Sequence, residues 1–234
     1  MNQAVVVATY NELKNAPELA RRVRAVMPDV RLVFVDDNSP DGTAEALRAL
    51  GDARLEVVVR TGARGYGTAV RDGLLHAIAA GAEAVATMDA DLSHDPADLP
   101  ALFAALEGGA DVAIGSRYRG GVRVINWPLK RLVLSLFANR YVNAILRLGP
   151  EDCTSGFRAY RAGMLAGMGL QTIRSNGYSF LVEMLWRAKC RAATITEVPI
   201  IFTERREGES KMSGAVIRES ILMPWRLRLG RMRG

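Results

Sequence analysis

The chain has 234 residues, with 31 Lys and Arg against 25 Asp and Glu and a net charge of +6. That length suits one large α/β domain with a sizeable core. It contains no uninterrupted apolar run of ~18 residues, which excludes a transmembrane helix. The start, MNQAVVVATY, has no basic leader region and too short an apolar run for a signal peptide, so the expected location is the cytoplasm. Only Cys153 and Cys190 occur, which excludes a disulfide framework and a zinc pattern and leaves both as core or loop residues. The positive charge gathers after Arg117 and closes the chain with Arg226, Arg228, Arg231 and Arg233. Such asymmetry favours a polyanionic partner. No nucleic-acid motif or aromatic interleaving is present, which leaves an anionic membrane surface.

In chain order, Ala4–Ala8 reads as a buried strand, followed by the polar loop Thr9–Glu12 and a helix from Pro17 to Val26. Arg31–Val35 is a second strand and runs into Asp36–Asp37–Asn38–Ser39–Pro40–Asp41–Gly42, which is rich in turn and helix-cap residues. A helix to Leu50, a strand at Leu55–Val59, a loop at Arg64–Gly67 and a helix at Thr68–Ala80 follow. Ala84–Met88 is the fourth strand. Pro96 opens a helix to Leu106, and Asp111–Gly115 is the fifth strand, leading into Ser116–Arg117–Tyr118. Strand and helix alternate over short connections, so the expected fold is α/β, with a mostly parallel sheet covered by helices on both faces. In such sheets ligands bind at the carboxyl ends of the strands.

The fourth strand delivers Asp89 and Asp91 one residue apart. Hard carboxylate oxygens at that spacing suit Mg²⁺ or Mn²⁺, and such a cation bridges phosphate oxygens. No Gly-x-Gly-x-x-Gly follows the first strand and no Walker loop exists, so a carboxylate-bound metal replaces a glycine cradle for phosphates. After Gly121 the character changes. Pro128–Leu148 mixes apolar residues with Lys130, Arg131, Arg140 and Arg147, as a helix or helix pair with basic and apolar faces. That suits a membrane interface, and equally a helix packed on the sheet with its arginine stems snorkelling. Asp152–Tyr160 returns to strand and turn. Asn176–Ala188 is a helix carrying Glu183, expected as a buried acid paired with an arginine. Thr194–Phe202 is a strand pair or bent strand, residues 205–214 form a basic loop, and Val216–Leu229 is a last amphipathic helix. The chain reads as a single domain, residues 1–121 forming a nucleotide-sugar half and 122–234 an acceptor and membrane-interface half.

The ordered segments TYNE, VDDNSPDGT, MDADLSHDP, GSRY, TSGFRAY, NGYSF, EVPI and ESKMSG resemble the inverting family-2 glycosyltransferases of GT-A fold. Among them the chain is most similar to the polyprenyl- or dolichyl-phosphate mannosyltransferases, over nearly its whole length. The resemblance implies that Ala8, Tyr10, Glu12, Asp36 and Asp37 lie on the donor nucleotide, and that Asp89, Ala90 and Asp91 form the metal–diphosphate loop. Arg117, Arg131 and Ser135 would grip the acceptor phosphate, while Arg205 and Lys211 neutralise the donor diphosphate. Arginine forks match phosphate oxygens, and carboxylates accept hydrogen bonds from a ribose diol or a guanine edge.

Two positions depart from the family pattern. Ala8 stands where these enzymes usually have Pro, with an expected small loss of loop stiffness. Ser93 stands where Gln often ligates the metal, which unsettles the third metal ligand and brings His94 into view. The expected reaction attacks the anomeric carbon of GDP-mannose with a polyprenyl phosphate oxygen, with inversion, on the cytosolic face of a membrane. Asp91, Arg117 and Lys211 are the residues expected to carry it. A phosphate acceptor is already ionised near neutral pH, so no catalytic His is needed. His76 is then expected to pack in its helix. Glucose transfer from UDP-glucose and a catalytically silent nucleotide- or lipid-binding module are the alternatives. A separate membrane-anchor protein is a further possible partner.

Overall fold

The structure is a computed structural model, and it describes residues 1–173, 175, 177–204 and 214–230, with the side chains of 214–218 left aside. Strands β1 (Gln3–Thr9), β2 (Arg31–Asp36), β3 (Leu55–Val59), β4 (Ala84–Asp89) and β5 (Val112–Ser116) alternate with helices α1 (Ala16–Val26), α2 (Thr43–Arg48), α3 (Tyr66–Ala79) and α4 (Leu99–Glu107). A short β6 (Val124–Ile125) precedes the long α5 (Leu129–Leu146). Then come β7 (Arg158–Arg161), α6 (Ala162–Gly167), α7 (Gly177–Cys190), β8 (Ile195–Pro199), β9 (Phe202–Thr203) and α8 (Gly214–Arg228). The predicted strand pair at 194–202 is therefore real, but its members belong to different sheets. Of the expected helix or helix pair over Pro128–Leu148, the structure has the single helix α5.

The main sheet has seven strands in the order β3-β2-β1-β4-β7-β5-β8. All pairs are parallel except those of β7, which runs antiparallel to both β4 and β5. Alternation along β1 sends Val5 and Val7 to one face and Ala4 and Val6 to the other. The first face packs on Leu19 and Val23 of α1, Leu47 of α2 and Phe103 of α4. The second packs on Val70 and Leu74 of α3, on α5 and α7, and on Met223 and Leu227 of α8. Gly73 sets how close α3 comes to the sheet, since a Cβ there would meet a Val6 methyl at 2.4 Å and a Val35 methyl at 2.8 Å. The α/β fold with a mostly parallel sheet thus stands as expected.

Two features place the ligand end. The chain leaves β1 for β2 and β3 on one side and returns to β4 on the other, so a switch point lies between β1 and β4. At such a point the crevice beyond the carboxyl ends is the natural binding place. Because β7 is reversed, the loop before it (Thr154–Phe157) also reaches that edge. Ala8 lies inside β1, paired with Val35 on one side and Asp89 on the other. The ladder therefore supplies the stiffness that the absent proline would have given, against the expected loss.

Candidate active site

A cavity of about 360 Å³ opens at the switch point, lined by Ala8, Glu12, Asp89, Ala90, Asp91, Ser93, Arg117 and Arg131 among others. Eight of the residues singled out from sequence therefore share one wall system. Tyr66, His94, Thr154, Gly156, Gly177, Tyr178, Leu181 and Phe202 complete the lining. Among the described residues no group of three His, Cys, Asp or Glu side chains is placed to hold a metal. Glu12, Asp89 and Asp91 line this space without forming such a group, so a cation held by the Asp89/Asp91 loop would draw its remaining ligands from other oxygens.

The Asp89–Ser93 loop is tightly determined. Asp91 Oδ1 accepts the Ser93 N–H at 3.1 Å, a local turn that holds Leu92 at φ 62° in the left-handed region. His94 is buried, stacked on Phe157 and edge-on to Phe202. Its Nδ1 accepts the Asp89 N–H at 3.2 Å, which puts the proton of the neutral ring on Nε2. Burial holds the His94 pKa below its ordinary value, against the pull of Asp89 and Asp91. Asp89 moves the other way: burial raises its pKa, and the Asp91 charge adds to that. The Tyr66 hydroxyl bonds Asp89, and its own pKa is driven up by burial and then by that carboxylate. Gly156 lies against the pair, for a Cβ there would sit 2.7 Å from the Tyr66 hydroxyl and 3.2 Å from Asp89 Oδ1. Room beside Asp89 thus depends on the absence of a side chain at 156.

The cationic wall is already ion-paired. Arg117 is buried and binds Asp152 through Nε and Nη2, both at 2.7 Å, while its own N–H reaches the same carboxylate at 3.1 Å. Nη2 also donates to Thr154 Oγ1 at 2.8 Å. Burial works against the Arg117 charge, but Asp152 outweighs it and raises the guanidinium pKa. Burial likewise pushes Asp152 up, and Arg117 reverses this to leave it below the usual carboxylate range. Arg131 pairs with Glu204 and lies 4.4 Å from the Trp127 ring centroid. Phe202 packs edge-on against both His94 and Trp127. Strand β9 therefore joins the two walls, and Thr203 N–H donates to Ser93 O at 3.2 Å.

Other expected residues lie apart from this cavity. Asp36 is fully buried and accepts from Thr9 Oγ1, Ser39 N and Ser39 Oγ. Asp37 pairs with Arg60 at 2.5 Å and accepts the Gly65 N–H at 2.8 Å. Neither caps α2. Asp41 takes the Thr43 N–H instead, at 3.0 Å. Tyr10 lies under the Arg64 guanidinium, 4.3 Å from its ring centroid. Ser135 accepts from the Tyr118 hydroxyl at 2.6 Å and lies outside the lining. Arg205 and Lys211 fall outside the described residues. Glu183 is the expected buried acid, with Arg187 at 2.6 Å and Ser175 Oγ at 2.5 Å. His76 sits on α3 away from the cavity, part-exposed, and reaches Glu56 on β3 at 2.6 Å. Cys153 is buried and its thiol is pushed up to about 12, chiefly by burial, whereas Cys190 is exposed at the end of α7, not in the core.

Residues 4–168 match the Glycosyl transferase family 2 profile. The chain belongs to glycosyl transferase family 2. A polyprenol monophosphomannose synthase of Mycolicibacterium smegmatis is 44% identical, over 98% of this chain and 89% of the relative. An undecaprenyl-phosphate mannosyltransferase of Micrococcus luteus is 39% identical, over 95% of this chain and 92% of the relative. The fold is shared with glucosyl-3-phosphoglycerate synthase of Mycobacterium tuberculosis, solved with Mn²⁺, uridine-diphosphate-glucose and phosphoglyceric acid. The TM-score is 0.74 at 19% identity, covering 98% of this chain and 80% of that one. As a family-2 member the chain is a glycosyltransferase, and its cavity sits where a GT-A sheet presents its ligand end.

Tyr66, Trp127, Asp152, Gly156 and Phe202 were not singled out from sequence. Gly156 sits inside TSGFRAY and Tyr178 inside NGYSF, so the segments were visible but the positions were not. Tyr66 was hidden by Arg64–Gly65–Tyr66–Gly67, whose glycines read as a loop although Tyr66 opens α3.

Proposed function

We propose that the enzyme transfers mannose from GDP-mannose to a polyprenyl phosphate, with inversion, giving polyprenyl-phosphate mannose and GDP. One observation carries the reading. A single cavity is lined both by the Asp89/Asp91 carboxylates and by Arg117 and Arg131, in a chain 44% identical to a polyprenol monophosphomannose synthase. The carboxylate side suits a divalent cation, Mg²⁺ or Mn²⁺, with Ser93 or the donor's own oxygens completing its shell. Such a cation, when bound, supplies charge stabilisation for a leaving diphosphate. Asp89 is poised for it, since burial and the Asp91 charge disfavour a bare carboxylate there, and Gly156 leaves the space.

The chain's own residues then do the positioning. Residues 1–121 hold the nucleotide sugar through Glu12 and the Asp89–Asp91 loop. Asp36 and Asp37 act at one remove, by fixing the Ser39 and Gly65 loops. Residues 122–234 supply Arg131, with Trp127 beside it and Phe202 packed on that ring, and Ser135 for the acceptor, and Arg205 and Lys211 for the diphosphate. No general base is required of an ionised phosphate, in keeping with a His94 that is neutral and whose Nδ1 is taken. Transfer assays with labelled GDP-mannose and UDP-glucose on polyprenyl phosphate test the donor. Turnover is expected with GDP-mannose, and turnover confined to UDP-glucose sinks the mannose assignment. Binding without turnover would favour a silent module.

The acceptor's lipid tail calls for a membrane surface. Among the described residues no helix is long and apolar enough to cross a membrane. Leu129, Val133, Leu134 and Phe137 on α5 are exposed, Leu129 at 74% and Phe137 at 65%. Phe137 stacks on Tyr141, whose hydroxyl accepts from Trp225 Nε1 and donates to Ile221 O. The exposed Ile221, Leu222 and Trp225 of α8 thereby join the patch. The sequence suggested basic and apolar faces around α5. In the structure the exposed apolar residues Leu129, Val133, Leu134 and Phe137 lie in the first half of α5 beside Lys130, whereas the exposed Arg140 lies in its second half and Arg147 just past its end. We infer that the first half of α5 meets the acyl region and the second half the headgroups of an anionic leaflet on the cytosolic face. Phe137→Asp is expected to lower partition onto anionic vesicles at least about ten-fold, from the ~1.5–3 kcal/mol of burying a Phe side chain. Binding should also weaken as salt rises. Sedimentation indifferent to both changes would remove the membrane surface from the proposal. A membrane-anchor partner would show as residual, salt-resistant binding to native membranes alone.

A further inference from the structure

Both arginines on the acceptor wall have carboxylate partners, and the two partners are unlike. Asp152 is fully buried. It takes Nε, Nη2 and the backbone N–H of Arg117, and the Thr154 N–H at 3.2 Å. Its own N–H goes to Glu197 Oε1 at 3.0 Å. A ligand that displaced Asp152 would leave a buried carboxylate without its cation, an expensive outcome. Glu204 is differently held. Its side chain is 26% exposed, and its ion pair with Arg131 is made through Nη1 alone. Its backbone is fixed by N–H donation to Ile125 O at 3.1 Å, so the side chain can rotate off without moving the strand. Arg131 meanwhile rests on Trp127, which holds the guanidinium plane as its edge changes partner.

We infer that Glu204 is the counter-anion that an incoming acceptor phosphate displaces from Arg131, and that it thereby sets which anions the acceptor subsite admits. This rests on the proposed acceptor role of Arg131. A phosphate monoester carries nearly two charges near neutral pH and meets a guanidinium edge with two oxygens. It outcompetes one carboxylate arm. A phosphodiester carries a single charge and gains little by the exchange. At a membrane surface this distinction has consequences, since phosphodiester headgroups surround the few monoester acceptors. With Arg131 bare, the bulk lipid would occupy the subsite. With Glu204 in place, the subsite is electrically closed to singly charged anions and open to the monoester.

The test is steady-state transfer to polyprenyl phosphate in neutral vesicles, repeated with increasing phosphatidylglycerol, for wild type, Glu204→Gln and Arg131→Ala. Glu204→Gln keeps the side-chain size and removes the competing charge. In neutral vesicles its acceptor KM is expected to fall about 2- to 5-fold, the worth of an accessible ion pair, with donor KM unchanged. Phosphatidylglycerol strengthens membrane docking of both proteins alike, so its competition at the subsite should show as an acceptor KM that rises for Glu204→Gln relative to wild type. If Glu204 merely positions Arg131, the variant's acceptor KM rises and kcat falls together, as in Arg131→Ala, and the inference is overturned. Equal phosphatidylglycerol sensitivity in both proteins overturns it as well. An Arg131→Ala enzyme with wild-type acceptor KM fails differently: it removes the acceptor role of Arg131 itself.

Discussion

Asp91→Asn is expected to lower mannosyl transfer by roughly 10³-fold while the protein stays folded. The size follows from the several kcal/mol that a bound cation supplies to a developing negative charge, at ~1.4 kcal/mol per factor of ten. The asparagine is chosen because Asp91 has two tasks. Its Oδ1 accepts the Ser93 N–H and so supports Leu92 in its left-handed conformation. An amide oxygen keeps that bond and removes only the charge. Asp91→Ala removes both and is expected to fall at least as far. Thermal unfolding should show Asp91→Asn as stable as wild type or slightly more so, because the repulsion that raises Asp89 is relieved. In parallel, chelation of the wild-type enzyme should abolish transfer, and Mg²⁺ or Mn²⁺ should restore it. Wild-type turnover by Asp91→Asn, measured with labelled donor and polyprenyl phosphate, would sink the metal role of this loop.

Why this loop was legible is a matter of local physics. Ala4–Ala8, Leu32–Val35 and Ala84–Met88, the last broken only by Thr87, are apolar runs bounded by polar residues, and such runs mark buried parallel strands. Once the alternation fixed a parallel sheet, every strand's last residue pointed to one edge, and Asp89 and Asp91 had to lie there. The direction of β7 was not legible. Arg158–Arg161 is short, and its pattern is the same read either way. Yet its reversal is what brings Thr154 and Gly156 to the cavity. Partners distant in sequence were hidden for another reason. Asp152 lies 35 residues from Arg117 and Glu204 lies 73 from Arg131. No periodicity relates them, so two arginines that read as open phosphate ligands are ion-paired in the structure.

The Arg117–Asp152 pair carries the second large effect. Asp152→Ala is expected to cost about 3–5 kcal/mol of folding stability, the range found when one member of a buried ion pair is removed. Against a total of about 5–15 kcal/mol that is severe. The cause is the cation left behind. Arg117 is surrounded by Tyr118, Trp127 and Phe202, whose ring centroids lie 5.4, 5.4 and 5.6 Å from its guanidinium carbon, and no second carboxylate is paired with it among the described residues. A double change, Arg117→Met with Asp152→Asn, removes both charges and should cost less than Asp152→Ala alone. Such non-additivity is the mark of a coupled pair. The pH dependence follows in sign. Arg117 keeps the folded Asp152 pKa below its unfolded value of ~3.9, so the pair's stabilisation is complete above that value. It is lost as pH falls through the lower, folded pKa. Urea unfolding followed by circular dichroism from neutral to acidic pH should therefore show a shallower acid limb for the double variant than for wild type. Equal stability of Asp152→Ala and wild type at neutral pH would mean that Arg117 has found water or another anion. In that case its fork would be as exchangeable as the edge of Arg131, and the acceptor phosphate would have two arginines to claim instead of one.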